Sequence, residues 1–127
     1  MSGVRFLLDT NYVIGLVKQR EEVIKVLTDR SIETKACVFS FITRIELLGF
    51  PGITMQEIDG IERVLAQMYY VGLAHEIEDR AIILRQNYRL KTPDAIIAAT
   101  ARYLKVELLT LDRQLATRMQ EIEASAE

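Results

Sequence analysis

The chain has 127 residues, of which 50% are hydrophobic and 27% are charged, a length and composition typical of one soluble globular domain. Its single cysteine, Cys37, excludes an internal disulfide framework and a cysteine-rich zinc site. The formal net charge of −2 argues against a protein that binds nucleic acid through its overall charge.

Short apolar runs alternate along the chain with segments of helical periodicity. In chain order, the predicted elements are a strand at 4–8, helices at 12–18 and 21–30, a strand at 36–41, a short helix around 45–48, a helix from 54 to 69, a strand at 70–73, helices at 74–89 and 92–104, a strand at 106–111 and a last helix from 112 to about 119. Thr54 and Glu57 form a capping-box pattern. Thr92, Pro93 and Asp94 have the order of a threonine cap, a first-turn proline and an acidic residue.

This alternation predicts a three-layer α/β/α sandwich around a mostly parallel sheet. We expect one domain over residues 1–120 and an acidic, frayed tail over residues 121–127. No apolar run of about 18 residues and no leader pattern is present, so we expect a cytoplasmic protein without a membrane span. Asp9 directly follows the first predicted strand and Asp112 directly follows the last. If these strands are parallel, both carboxylates lie at the edge of the sheet where ligands bind in such folds.

Four acidic residues therefore become candidates for chemistry: Asp9, Glu46, Asp94 and Asp112. Each of them taken alone could be a helix cap or a surface acid. However, Asp9 and Glu46 stand among apolar residues, where burial is expected, and buried acids usually need a partner or a metal. A cluster of carboxylates without His or Cys ligands suits Mg²⁺ or Mn²⁺. Such an ion can activate water and neutralise a phosphate, which favours phosphodiester hydrolysis.

The basic residues are concentrated beside one of these acids. Between Arg80 and Lys105 there are six basic residues and one acidic residue, Asp94, a local net charge of +5. A stretch of this kind can attract a polyanion while keeping a carboxylate for chemistry. The alternative interpretation is that these charges are the solvated faces of two helices. We expect four of the basic residues to border the acidic pocket and to hold an RNA backbone: Arg85, Arg89, Lys91 and Arg102.

Four segments, at 7–11, 40–47, 92–101 and 109–112, resemble the motifs of the PIN-domain family in the family's order. They are most similar to its VapC-type branch, the toxins of toxin–antitoxin pairs. The resemblance implies a PIN-like α/β/α fold and an Mg²⁺- or Mn²⁺-dependent endoribonuclease with Asp9, Glu46, Asp94 and Asp112 as its acidic tetrad. The residues that would hold carboxylates or waters in place are Thr10, Asn11, Ser40 and Thr110. It also implies a tRNA or ribosomal RNA substrate, a small cognate antitoxin and a homodimer.

Other functions stay open at this stage. A catalytically silent module that binds RNA or protein could have the same fold. A receiver-like phosphoacceptor domain would need an acidic pair after the first strand and a lysine after the last one, where this chain has Asp9 alone and Asp112-Arg113. A haloacid-dehalogenase-like phosphatase would need a second acid at the position of Asn11. The nuclease is the interpretation that uses all four acids.

Overall fold

A computed structural model describes residues 3–125 of the chain. Its strands are β1 (Phe6–Leu8), β2 (Cys37–Ser40), β3 (Tyr69–Val71) and β4 (Glu107–Leu109). Its α-helices are α1 (Thr10–Val17), α2 (Glu21–Asp29), α3 (Phe41–Leu48), α4 (Met55–Leu65), α5 (His75–Tyr88), α6 (Thr92–Leu104) and α7 (Arg113–Ala124). Every predicted strand and helix is present, although the strands are shorter than the apolar runs that predicted them.

The four strands form one sheet in the order β3-β2-β1-β4, and all three strand pairs are parallel. In the register of the sheet, Leu8 lies opposite Phe39 on one side and Leu109 on the other. The carboxyl ends of the strands therefore share one edge of the sheet. This arrangement places the residues that follow β1 and β4 next to each other.

Two apolar cores, one on each face of the sheet, produce the three layers. Leu7 and Val38 point to the face that α5, α6 and α7 cover. Leu8 and Phe39 point to the opposite face, which buried side chains of α1 to α4 cover. This alternation follows from the period of two residues in a strand. The predicted α/β/α sandwich with a parallel sheet is confirmed.

The helix ends differ from prediction at two places. Helix α6 has Lys91 rather than Thr92 at its N-cap position, and Asp94 is the third residue of the helix. The predicted frayed tail from residue 121 is wrong for the described part of that segment, because α7 continues to Ala124. Its last turn is held by Ile122, which is fully buried in the core beneath α7. Residues 126 and 127 of the predicted tail lie outside the described residues.

Within residues 3–125, no helix has the length and apolar character needed to cross a membrane.

Candidate active site

The four predicted acids line one cavity at the carboxyl edge of the sheet. Asp9 follows β1, Asp112 precedes α7, Glu46 lies on α3 and Asp94 lies in the first turn of α6. The cavity has a volume of about 510 Å³, and Thr10 and Asn11 also line it. Four elements that are distant in sequence thus contribute one carboxylate each to a common space.

Asp9 is the buried centre of this cavity, with 5% of its surface exposed. One carboxylate oxygen, Oδ1, accepts a hydrogen bond from the Tyr12 backbone N–H at 3.0 Å, which caps α1. The other, Oδ2, accepts a hydrogen bond from the Thr110 hydroxyl. Burial raises the pKa of Asp9 to about 6 against the lowering effect of these two hydrogen bonds, and the nearby charges of Asp112 and Asp94 raise the pKa further.

The loop after β4 is tied to the start of α1 by two polar side chains. The Thr110 hydroxyl, which donates to Asp9, also accepts a hydrogen bond from the Asp112 backbone N–H at 3.0 Å. The side-chain oxygen of Asn11 accepts a hydrogen bond from the Leu111 backbone N–H at 3.1 Å. These contacts join positions about 100 residues apart in the chain. They hold the carboxylates of Asp9 and Asp112 on adjacent loops.

Asp112 is a helix cap and a cavity residue at the same time. Its Oδ1 accepts hydrogen bonds from the backbone N–H groups of Gln114 at 2.9 Å and Leu115 at 3.2 Å, at the start of α7. Within residues 3–125, no side chain or backbone group donates a hydrogen bond to Oδ2. The two interpretations weighed for this residue are therefore compatible, because each uses a different oxygen.

Glu46 is held by a hydroxyl but is not buried. Its Oε1 accepts a hydrogen bond from the Thr10 hydroxyl at 2.5 Å, and that hydroxyl lies 3.1 Å from the hydroxyl of the buried Thr43. The expectation that Glu46 is buried is wrong, since it is exposed and its neighbour Ile45 is 60% exposed. Helix α3 turns Leu47 toward the core instead, so the apolar run around Glu46 covers more than one face of the helix.

Ser40 acts on the site only through the helix that carries Glu46. Its hydroxyl accepts a hydrogen bond from the Ile42 backbone N–H at 3.1 Å and caps α3. Ser40 is not among the residues that line the acidic cavity. Its predicted contact with a carboxylate or a water stays a prediction.

Asp94 is partly buried, and its pKa is raised above the usual value. Burial is the main cause, and the charge of Asp112 adds to it. The nearby Lys91 lowers the pKa of Asp94, and the charge of Glu46 raises it. The pKa values of Asp9 and Asp94 are both raised because the two carboxyl groups are partly shielded from water and lie near other carboxylates.

The donor set fits a hard divalent cation bound through few protein ligands. All four groups are carboxylates, and the only histidine, His75, lies on α5. Among the described residues, no three of these carboxylates bring oxygen atoms within 4.8 Å of one another. Mg²⁺ is commonly held by one or two carboxylates and several waters, because it gives up its hydration shell reluctantly. The cavity therefore suits a hydrated ion better than a closed cage of protein ligands.

Of the four predicted basic residues, two line a cavity beside the acids and two do not. Arg89 and Lys91 line a second cavity of about 480 Å³, whose walls also include Asp94 and Asp112. Arg85 donates a hydrogen bond through Nε to the Leu90 carbonyl at 3.1 Å, and it lines neither of these two cavities. Arg102 lies eight residues after Asp94 on α6, about 12 Å along the helix axis. Arg102 lines a separate cavity near β4. Neither Arg85 nor Arg102 lines the acidic cavity, and their contact with an RNA backbone stays a prediction.

Sequence analysis missed three basic residues that the fold brings to the site. Arg113 and Arg118 of α7 line the second cavity together with Arg89 and Lys91. Lys18, at the end of α1, lines the acidic cavity. Only the position of Arg113 directly after Asp112 was a local signal, because the other two residues stand far from any acidic motif in the sequence.

Comparisons with known proteins agree with this architecture. The model of the PIN-domain family matches residues 6–119 of the chain. A chain of a toxin–antitoxin complex from Klebsiella pneumoniae is 32% identical, with a TM-score of 0.67 over 84% of this chain and 85% of that chain. A chain of VapBC-1 from nontypeable Haemophilus influenzae is 26% identical, with a TM-score of 0.74 over 93% of this chain and 94% of that chain. A chain of VapBC2 from Rickettsia felis, at 16% identity, shares the fold with a TM-score of 0.75 over 90% of this chain and 92% of that chain. No curated protein matches the chain.

Proposed function

The chain belongs to the PIN-domain family, and on that premise we propose that it is a VapC-like toxin, an Mg²⁺- or Mn²⁺-dependent endoribonuclease. The observation that carries this proposal is the shared cavity of Asp9, Glu46, Asp94 and Asp112 at the carboxyl edge of a parallel sheet. Among the described residues, five carboxylates line this cavity, because Glu57 of α4 joins the four predicted acids. Burial raises the pKa of Asp9, and the charges of Asp112 and Asp94 raise it further, so the ionised acids oppose each other. Such an arrangement is costly for folding unless a cation uses it.

Asp9 and Asp94 are the residues that we assign to direct ligation of the ion. Asp9 is held by two hydrogen bonds at the end of β1, and Asp94 stands in the first turn of α6, so both carboxylates have fixed positions. When bound, a divalent cation would neutralise phosphate charge and make a water molecule more acidic. Glu46 and Asp112 complete the acidic wall and would orient water through their open oxygens.

The remaining polar residues hold this wall in place. Thr110 bridges Asp9 and the backbone of Asp112, while Thr10 orients Glu46. Asn11 fixes the loop that carries Asp112. These residues do not contact the reacting phosphate in this proposal, and their role is to position the carboxylates.

We assign RNA as the substrate and, by analogy with the toxin–antitoxin complexes that share the fold, a cognate antitoxin as partner. The RNA is a tRNA or a ribosomal RNA, and the protein acts on it in the cytoplasm. In this proposal, Arg89 and Lys91 contact the RNA backbone beside the acids, which is supported by their position in the lining of the second cavity. Arg85 and Arg102 act at a greater distance from the scissile phosphate. A homodimer would cover exposed apolar side chains of α4 and α5, including Met55, Ile82 and Ile83.

A catalytically silent PIN-like binding module is the second candidate. Such a module would have the same cavity, and its acids would shape the pocket without supporting cleavage. The receiver-like alternative is not supported, since the match to the PIN-domain family covers residues 6–119. The two remaining candidates differ in one measurable property, which is metal-dependent cleavage of RNA.

The deciding experiment is a cleavage assay on total tRNA with Mg²⁺ or Mn²⁺, with and without chelator. We expect the wild type to cleave only with the metal. Asp94→Asn should abolish cleavage while leaving the protein folded, because the amide keeps the shape of the side chain and removes its charge. Asp59→Asn, which changes an exposed aspartate of α4, is the matched control and should cleave like the wild type.

Cleavage that survives both the chelator and the Asp94 substitution would come from a contaminant or another mechanism. A folded, metal-binding wild type without any cleavage of RNA would favour the silent binding module.

A further inference from the structure

The second cavity collects basic side chains from helix α7 and from the turn between α5 and α6. Arg89 and Lys91 come from that turn, and Arg113 and Arg118 come from α7. The cavity has a volume of about 480 Å³ and shares Asp94 and Asp112 with the acidic cavity. It is therefore a cationic space that opens directly beside the proposed catalytic acids.

Three of these four cations form no close ion pair, although the charge of Lys91 acts on Asp94 from a greater distance. Arg118 forms an ion pair with Glu121 at 3.1 Å. Within residues 3–125, Arg89, Lys91 and Arg113 form no ion pair within 4.0 Å. All four side chains are exposed, so they are free to meet a ligand from solvent.

Helix stability does not account for two of these positions. Lys91 is the N-cap of α6 and makes no capping hydrogen bond, and Arg113 is the first residue of α7. A positive charge at a helix N-terminus is unfavourable, because the helix dipole places partial positive charge there. These cations therefore lie where local folding energetics disfavour them, and they converge on one cavity.

The two cavities that share Asp94 and Asp112 differ in the charge of their other lining residues. The acidic cavity continues into an apolar wall that includes Ile14, Phe50 and Ile61, and among the described residues Lys18 is the one lysine or arginine in its lining. The second cavity has four cations. A charged RNA backbone that reaches the acids is therefore better matched by the second cavity than by the apolar side.

We propose that the cavity between the α5–α6 turn and α7 is a phosphate-binding track, in which Arg113 and Arg118 hold the RNA backbone on one side of the scissile phosphate. This inference rests on the proposed nuclease function and adds two positioning residues from α7. Contacts of this kind fix the register of the strand on the protein without reading its bases.

The test measures binding separately from cleavage. A labelled single-stranded RNA of 12 nucleotides is titrated with protein in chelator, and the affinity is followed by fluorescence anisotropy between 50 and 200 mM salt. Each phosphate contact to single-stranded nucleic acid contributes about 0.7 to the slope of log K against log salt. We expect the double variant Arg113→Gln/Arg118→Gln to lower the magnitude of that slope by about 1.4, from two lost contacts.

A matched control removes the same net charge elsewhere. Lys35 lies before β2 and Arg63 lies on α4, and neither lines the second cavity. The double variant Lys35→Gln/Arg63→Gln should leave the slope unchanged. Equal slopes in the two double variants would overturn the track, since only net charge would then matter. The Arg113/Arg118 variant could instead keep the wild-type slope and unfold at a lower urea concentration. That result would overturn the track, because the two arginines would then stabilise the fold against the charge of the acids without binding RNA.

Two further outcomes separate this inference from the proposed function. If no protein cleaves RNA but the slope falls as expected, the two arginines still bind the RNA backbone, and only the nuclease and its scissile phosphate are wrong. If the wild type cleaves with metal and the slopes are equal, the nuclease stands and the track is wrong. If the double variant Arg113→Gln/Arg118→Gln weakens the binding of a 12-residue polyglutamate but leaves the salt dependence of RNA binding unchanged, the cavity belongs to an acidic protein segment and the RNA track is overturned.

Discussion

Replacing Asp9 with asparagine should stabilise the metal-free protein at neutral pH. The pKa of Asp9 is about 6 in the folded protein against 3.8 for an unperturbed aspartate, and this difference corresponds to about 3 kcal/mol. Ionised Asp9 therefore opposes folding by up to that amount above pH 6. Asparagine removes the charge and keeps an oxygen for the Tyr12 backbone N–H.

The stabilisation expected from Asp9→Asn is reduced by the loss of the hydrogen bond from Thr110. The Thr110 hydroxyl donates to Asp9 and already accepts from the Asp112 backbone N–H. An asparagine amide would face that hydroxyl as a donor, so Thr110 would lose its acceptor at a cost of about 1 kcal/mol. The expected net stabilisation of Asp9→Asn at pH 8 is thus about 2 kcal/mol.

The sign of the pH dependence follows from the direction of the shift. Because the folded pKa is raised, the folded state binds more protons than the unfolded state between pH 3.8 and about 6. The Asp9 contribution to wild-type stability is therefore largest at low pH and is lost as the pH rises through that window. The advantage of Asp9→Asn should be absent or reversed near pH 4.5 and full at pH 8.

Urea unfolding in chelator at several pH values measures this difference, with the exposed Asp59→Asn as control. Added Mg²⁺ should stabilise the wild type and not the variant, because only the wild type keeps the ligand. The reasoning is refuted if Asp9→Asn is less stable than wild type at pH 8 in chelator. It is also refuted if the difference between the two proteins does not change with pH.

Three further predictions concern positioning, packing and assembly. Thr110→Val removes the hydroxyl between Asp9 and the Asp112 backbone, so cleavage should fall at least tenfold while the urea midpoint drops by the equivalent of about 1–3 kcal/mol; wild-type cleavage by a folded variant would contradict this. Ile122→Ala should destabilise the protein by about 2–5 kcal/mol, since Ile122 is fully buried in the core beneath α7; a loss under 1 kcal/mol would indicate a frayed helix end. Sedimentation at micromolar concentration should detect a dimer that the exposed-face variant Ile82→Glu disrupts, whereas a wild-type monomer would rule out the homodimer.

The local features of the fold could be predicted from short segments of the sequence. The Thr54–Glu57 capping box forms as predicted, because a capping box needs only residues within one helical turn. Leu7 and Leu8 belong to a buried strand, as their apolar run indicated. Asp9 and Asp112 meet at one edge because a parallel sheet aligns all its carboxyl ends there.

Tertiary packing decided the features that depend on which helix faces meet. The sequence placed Glu46 in an apolar setting, but the rotation of α3 over the sheet left it exposed. The sequence also grouped Arg102 with Arg89 in one basic stretch. The two residues are 13 positions apart, and Arg102 lies near the far end of α6, where it lines a different cavity.

Arg113 and Arg118 are the opposite case, because they are distant from Arg89 and Lys91 in the sequence but line the same cavity. They lie outside the stretch of positive charge in the sequence, but α7 covers the same face of the sheet as α6 and lines the same cavity as Asp94. Periodicity and capping are set by neighbours three or four residues away, so the amino-acid sequence alone determined the elements and the edge at which the acids lie. The composition of the charged surface depends on contacts between residues far apart in the chain, so only the folded structure determined it.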